Sequence, residues 1–257
     1  MILFSLFAKK LSEIPFTNRE RFSSGIFSID YIYGETRCVH TEANGLNKIG
    51  DPLLKNGQQI IYNGMPTSFI SVWAGEPGVG KSRLAIAISK QLISSGTEVL
   101  YLNGENEESD IRKWCGPLVS NSDLFKIYSN SCLEMDAIEE LALQYKTPII
   151  FIDSFQTIKG KTNSILQRLK LLKANAKANM PHIVLISQVN KSGKVSGTND
   201  IQHESDFVAT VTKSGDKEFC FECLTKNRAG PTPRGAYFKH LYDSIQYLNF
   251  KNYNEIK

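Results

Sequence analysis

The stretch Thr67-Ser-Phe-Ile-Ser-Val-Trp-Ala74, followed at once by Gly75-Glu-Pro-Gly-Val-Gly-Lys81-Ser82, decides the fold. Its first eight residues are apolar, β-branched and aromatic, which predicts a buried strand. Ser82–Ser94 carries Leu84, Ile86, Ile88 and Leu92 and predicts a helix, stopped by Ser95-Gly96. The turn between them reads G-x-x-x-x-G-K-[ST]. Glycines let such a turn bend until successive N–H groups converge on one anion, and the following helix N-terminus adds its partial positive charge. Lys81 is placed for the β- and γ-phosphates of a nucleotide and Ser82 for Mg²⁺. The expected contacts of ATP are therefore Gly75, Glu76, Pro77, Gly78, Val79, Gly80, Lys81, Ser82 and Arg83.

The pattern continues outward as strand alternating with helix. Glu98–Asn103, Phe125–Tyr128, Pro148–Asp153 and Pro181–Gln188 read as strands; Asn106–Leu118, Met135–Tyr145 and Ser164–Ala178 read as helices. That alternation predicts an α/β fold with a mainly parallel, doubly wound sheet. From Asp206 the pattern changes to consecutive strands, Phe207–Val211, Glu218–Leu224, Ala236–Phe238 and Ile245–Phe250, a C-terminal β extension of the same sheet.

Two further segments complete a candidate site. Ile149-Ile-Phe-Ile-Asp153 ends in a carboxylate at the carboxyl end of a buried strand, where open α/β sheets bind ligands, so Asp153 is a second expected Mg²⁺ ligand. Asn103-Gly-Glu105-Asn-Glu107-Glu108 follows the next strand after the phosphate-loop helix. Hydrolysis needs a group that orients or deprotonates water. Glu105 is the first candidate and Glu108 the second, because Glu107, Glu108 and Asp110 also suit the start of a helix. Gln188 ends a strand, where its amide either contacts a γ-phosphate or is a polar strand end and nothing more.

The chain has 257 residues, with 30 Lys and Arg against 26 Asp and Glu, a net charge of +4 and 41% hydrophobic residues, enough for one large core. No run approaches the roughly 18 apolar residues of a membrane span. Apolar Met1–Ala8 precedes Lys9 and Lys10, the reverse of a secretory signal, and residues 1–21 read as a docking or oligomerisation segment. Five cysteines argue for a reducing interior, and Cys220 and Cys223, three apart in a predicted strand, should face opposite sides. Between Phe155 and Asn199 stand eight bases and no acid: Lys159, Lys161, Arg168, Lys170, Lys173, Lys177, Lys191 and Lys194. This run suits a polyanion partner; a solvated helix face accounts equally well for its helical lysines.

Several segments in order resemble the RecA-fold ATPases of the RadA (Sms) and DnaB type. Ser23-Ser-Gly-Ile-Phe-Ser-Ile-Asp30 resembles their T-G-I-x-E-L-D opening, and Gly75–Ser82 is similar to their Walker A loop. Leu100-Tyr-Leu-Asn-Gly-Glu105 resembles L-Y-V-S-G-E, and Ile152-Asp-Ser-Phe-Gln-Thr157 resembles I-D-S-I-Q-T. Gln188–Gly197, with Gln202, His203 and Asp206, resembles the loop V-T-K-E-G-x-I-A-G and its E-H…D. Lys226-Asn-Arg228-Ala-Gly230 resembles K-N-R-F-G, with Ala229 for Phe, and Pro231-Thr232 continues it in the DnaB manner. A segment of about residues 35–63, with Arg37, His40, Lys48 and Lys55, stands where the family has a short glycine turn; it is either a loop touching DNA or a neighbour, or a tolerated excursion.

The resemblance implies an ATPase core of a homo-oligomer, ring or filament, over residues 22–257, with ATP between subunits. It implies that Lys226 and Arg228 complete the neighbour's site and that Glu105 is the catalytic carboxylate. It implies single-stranded DNA contacts from the loop Asn190–Asp200 (Lys191, Lys194, Ser196, Asn199) and from a shorter loop Lys159–Asn163 (Lys159, Lys161). His203 and Asp206 either couple the DNA loop to the nucleotide or make a structural hydrogen bond. The setting implied is the cytoplasm of a bacterial or phage-infected cell, with work in recombination, repair or replication alongside other such proteins. The competing expectation is a nucleotide-switched regulator or loader with little DNA contact.

Overall fold

The computed structural model describes residues 21–34, 43–46, 52–54, 64–120, 122–145, 147–176, 181–189, 199–242 and 244–253. The expected docking segment apart from Arg21, most of the 35–63 segment, and Lys191, Lys194 and Ser196 lie outside those residues. The strands in chain order are β1 Arg21–Phe22, β2 Ala43–Leu46, β3 Pro52–Leu54, β4 Met65–Pro66, β5 Phe69–Gly75, β6 Val99–Asn103, β7 Phe125–Ser129, β8 Ile149–Asp153 and β9 His182–Gln188, then β10 Phe207–Gly215, β11 Glu218–Asn227, β12 Arg234–His240 and β13 Ile245–Phe250. The helices are α1 Phe27–Tyr33, α2 Lys81–Ser94, α3 Glu108–Ser120, α4 Met135–Gln144, α5 Thr162–Ala176 and α6 Asn199–Glu204.

Among the described residues, nine strands form one sheet in the order β13-β12-β11-β10-β5-β9-β8-β6-β7. From β10 to β7 all neighbours are parallel. From β10 to β13 they are antiparallel. This is the expected doubly wound α/β sheet with its β extension. β5 therefore lies inside the sheet, buried along its whole length. Its side chains alternate between two cores: Phe69 and Trp73 pack with α1, α2 and α3 on one face, Ile70, Val72 and Ala74 with α4, α5 and α6 on the other.

Trp73 is the centre of the first core. It is fully buried, its ring meets Phe151 and Phe221 edge-on at 5.7 and 5.2 Å, and its Nε1–H donates to Tyr33 Oη at 2.8 Å. Trp73→Ala is expected to destabilise the chain by about 3–5 kcal/mol, read from chemical unfolding; a loss under about 1 kcal/mol would mean the core is not organised around it.

Several elements depart from the sequence expectation. α1 was not foreseen: seven residues are too few to persist alone, and tertiary contacts hold them. The Asp30 carboxylate accepts from Ser24 N–H and Ser23 Oγ–H, while Asn227 Nδ2 and an Arg234 N–H donate to the carbonyls of Ile32 and Gly34. α3 runs to Ser120 across a break at Gly116, φ 68°, before Pro117. α5 begins at Thr162, so the expected loop Lys159–Asn163 shortens to three residues, and Asn199, expected in a loop, opens α6.

The acid-free run of the sequence is not acid-free in space. Arg168 on α5 pairs with Asp136 and Glu139 of α4, Lys159 pairs with Glu134 at 3.0 Å, and Lys170 pairs with Glu204 of α6. These three cations are matched by carboxylates from outside the run. Cys220 and Cys223 do stand on opposite faces: Cys223 joins the core with Phe219 and Phe221, and Cys220 does not. Burial pushes both thiols up to about 12, which disfavours the thiolate that zinc requires.

Candidate nucleotide site

β5 delivers Gly75 to the carboxyl edge of the sheet, and the chain turns there into α2. Gly80 has φ 106°, a left-handed backbone, and a Cβ at that position would overlap the His240 imidazole. The turn thus needs glycine twice over, for its bend and for the close approach of β12. His240 donates from Nε2 to the Val79 carbonyl at 3.2 Å and stacks on Phe219 at 4.4 Å. Burial lowers its pKa and keeps the ring neutral.

Lys81 is almost wholly buried, and its ammonium donates to the carbonyls of Gly75 and Glu76, both at 2.8 Å. Burial lowers its pKa; the charges of Asp153 and Glu105 oppose that shift and hold the cation in the loop. Asp153 ends β8, two strands from β5 with β9 between. Burial raises its pKa, against hydrogen bonds from Tyr101 and Ser82. Tyr101 Oη–H donates to Oδ2 at 2.6 Å and Asn106 Nδ2–H at 2.9 Å. The Ser82 hydroxyl and the Asp153 carboxylate are two hard oxygens on this edge, a donor set that fits Mg²⁺ with water in its remaining positions.

Glu105 follows β6 in a tight turn. Asn103 bonds both backbone groups of Asn106, through Oδ1 at 3.1 Å and Nδ2 at 2.7 Å. Gly104 N–H donates to the Asp153 carbonyl at 2.6 Å, and a Cβ on Gly104 would overlap Thr157. The backbone here lies tight against the Asp153 strand, and Glu105 projects past it. Its Oε1 accepts from Gln188 Nε2–H at 2.8 Å, across 83 residues of chain. Glu108 is the first residue of α3 and exposed, the position that the helix-start reading assigns it.

Lys226 and Arg228 stand elsewhere. β11 is antiparallel to β10, and Lys226 pairs with Val208, which pairs with Val72 of β5. Arg228 N–H donates to the Asp206 carbonyl and Asp206 N–H to the Ile70 carbonyl, so Arg228 is level with Ile70. Five residues of strand, about 17 Å, separate that level from Gly75. These cations are at the opposite edge of the sheet from their own phosphate loop. Asp206 is with them and not beside its own chain's phosphate loop, and it makes hydrogen bonds within its own chain. Lys159 and Lys161 are exposed beside α5.

Sequence reading missed a cleft of about 740 Å³ beside the loop, lined by Gly78, Val79, Arg83 and His240 and by Lys113, Lys213, Lys217, Lys239 and Tyr242, with Glu218 the only acidic lining residue among the described residues. Arg83 is tied to its rim, donating to the carbonyls of Leu241 and Tyr242. No local motif marks this cleft, because its residues come from four segments.

No family model matches the chain. It is 25% identical over 193 residues to the DNA repair protein RadA of Mycobacterium tuberculosis, covering 71% of this chain and 40% of that one. To RadA of Streptococcus pyogenes it is 30% identical over 185 residues, covering 68% and 40%. Its fold matches the solved structure of a DnaB-like replicative helicase with TM-score 0.62 and 15% identity, over 73% of this chain and 59% of that one. This is a RecA-fold P-loop protein of the RadA/DnaB type. The RadA/DnaB-type chain spans about two fifths of the length of those RadA proteins. Among its described residues, no helix is long and apolar enough to cross a membrane.

Proposed function

We propose that this RadA/DnaB-type chain hydrolyses ATP at the carboxyl edge of its sheet as a homo-oligomer, and that the cycle governs its grip on single-stranded DNA during recombination, repair or replication in the cytoplasm. The observation that carries the reading is the convergence of Lys81, Ser82, Asp153, Glu105 and Gln188 on one edge from four separate strand ends. The loop N–H groups and Lys81 bind the phosphates. Ser82 and Asp153 would hold Mg²⁺, which when bound would offset phosphate charge. Glu105 orients and deprotonates the attacking water, and Gln188, bonded to Glu105, reports the γ-phosphate. The lysine-lined cleft, continuous with the loop, receives the nucleoside end. Lys226 and Arg228, too far from their own loop, serve the site of an adjoining protomer and stabilise charge on the transferred phosphoryl.

With Lys159, Arg168 and Lys170 paired within the chain, the DNA reading is supported by the loop Asn190–Asp200 and by the RadA likeness. Lys191→Ala/Lys194→Ala is expected to abolish stimulation of ATP hydrolysis by single-stranded DNA while leaving the unstimulated rate intact. It is also expected to reduce the salt slope of DNA affinity by about 1.4, at 0.7 per phosphate contact. Wild-type hydrolysis that ignores added oligonucleotide, or DNA affinity indifferent to salt, would overturn the reading in favour of a nucleotide-switched regulator.

A further inference from the structure

Asp206 has more bonds than a β-strand residue needs. It is 1% exposed and immediately precedes β10. Its Oδ2 accepts from Ile70 N–H at 3.0 Å and its own N–H donates back to the Ile70 carbonyl at 2.8 Å. Its carbonyl accepts from Arg228 N–H at 3.0 Å and its Oδ1 from Arg228 Nη1–H at 3.2 Å. One residue thus grips the backbone and the side chain of Arg228 together, and clamps both to β5.

The burial of the two partners is unequal: the Asp206 side chain is 2% exposed and the Arg228 side chain 54%. A carboxylate taken out of water needs a cation close by. The guanidinium needs no burial, and the ion pair engages only one of its three nitrogens, leaving donors for a phosphate outside the chain. Lys226 is held by the same segment, through Nζ to the His203 carbonyl at 2.6 Å. Burial, and next the charge of Arg228, lower its pKa, so the two cations crowd each other. Like charges at close range separate unless something fixes them.

We propose that Asp206 is a positioning residue that fixes Arg228 in the orientation with which it reaches an adjoining protomer's nucleotide. The inference rests on the reading of Arg228 as a group supplied in trans. It has a consequence for coupling between sites: β5 carries the phosphate loop at Gly75 and the anchor of Arg228 at Ile70. A shift of β5 with the nucleotide held in one subunit therefore moves the cation presented to the next.

The test uses the assembled oligomer and three variants, Asp206→Asn, Arg228→Ala and the double. Arg228→Ala is expected to lower kcat about 10³-fold. Asp206→Asn keeps an oxygen for Ile70 N–H and is expected to lower kcat about 10- to 100-fold, the usual loss when a catalytic group's orienting partner is removed. KM and the affinity for a fluorescent ADP analogue should stay unchanged. The double variant should be no slower than Arg228→Ala alone, since both act through one group. Mixing Asp206→Asn with an excess of Lys81→Ala subunits, whose Arg228 is correctly held, should restore turnover at the Asp206→Asn sites. The proposal is overturned if Asp206→Asn turns over at the wild-type rate, loses nucleotide binding or assembly, is not rescued by mixing, or worsens Arg228→Ala. If Arg228→Ala itself hydrolyses ATP normally, the trans reading fails first, and that result is distinct from a failure confined to Asp206.

Discussion

Lys81→Ala is expected to lower kcat/KM for ATP hydrolysis about 10³-fold or more, with weaker nucleotide binding, as measured by phosphate release and by titration with a fluorescent ATP analogue. Lys81 Nζ sits between the carbonyls of Gly75 and Glu76, near the charges of Asp153 and Glu105. Removing it costs the incoming triphosphate a cation and leaves two carbonyl dipoles and two carboxylates facing that anion. The loop would then repel what it is shaped to hold. Lys126→Ala, on β7 at the far side of the sheet, serves as the control and should leave the rate unchanged. A Lys81→Ala rate within tenfold of wild type would show that the loop does not bind the reacting phosphates.

Glu105→Gln is expected to behave differently. It should bind ATP as tightly as the wild-type chain and lower kcat about 10²–10⁴-fold, the range for loss of a positioned general base. Gln retains an oxygen able to accept from Gln188 Nε2–H, so the turn and the contact across the sheet edge survive while the basic group is lost. Glu108→Gln, at the first position of α3, should cost no more than a few tenths of a kcal/mol in helix stability and leave kcat unchanged. If Glu108→Gln proved the slow variant and Glu105→Gln the normal one, the assignment of the two acids would be reversed.

The elements legible in the sequence are those whose signal is local. β5, β8 and β9 are five to seven residues long, mostly apolar, and end in Gly75, Asp153 and Gln188. Buried strands of a parallel sheet must be apolar on both faces, so composition alone identifies them. The phosphate loop is legible for a related reason, since φ 106° at Gly80 and the overlap a side chain would make with His240 leave glycine as the residue that fits. Elements held by partners distant in sequence were not legible. α1 is a short helix whose Tyr33 is fixed by Trp73, 40 residues on.

Charge shows the division most clearly. Along the chain, Phe155–Asn199 has no acid, and that count is correct. Coulomb attraction depends on distance in space, however, and α4 and α6 bring Asp136, Glu139 and Glu204 onto Arg168 and Lys170. The cations of the cleft beside the loop, Lys113, Lys213, Lys217 and Lys239, are scattered in sequence, and only folding gathers them.

By itself, then, the order of residues determined the strand, the phosphate-binding turn, the helix behind it and the carboxylate at the end of β8, because each is dictated by neighbours within a few positions. The tertiary structure alone decided that Glu105 meets Gln188, that Arg228 is held by Asp206 at the opposite edge from its own loop, and that three cations of the basic run, Lys159, Arg168 and Lys170, meet carboxylates from outside it. These are contacts between groups tens of residues apart, and strand order and register set their distances.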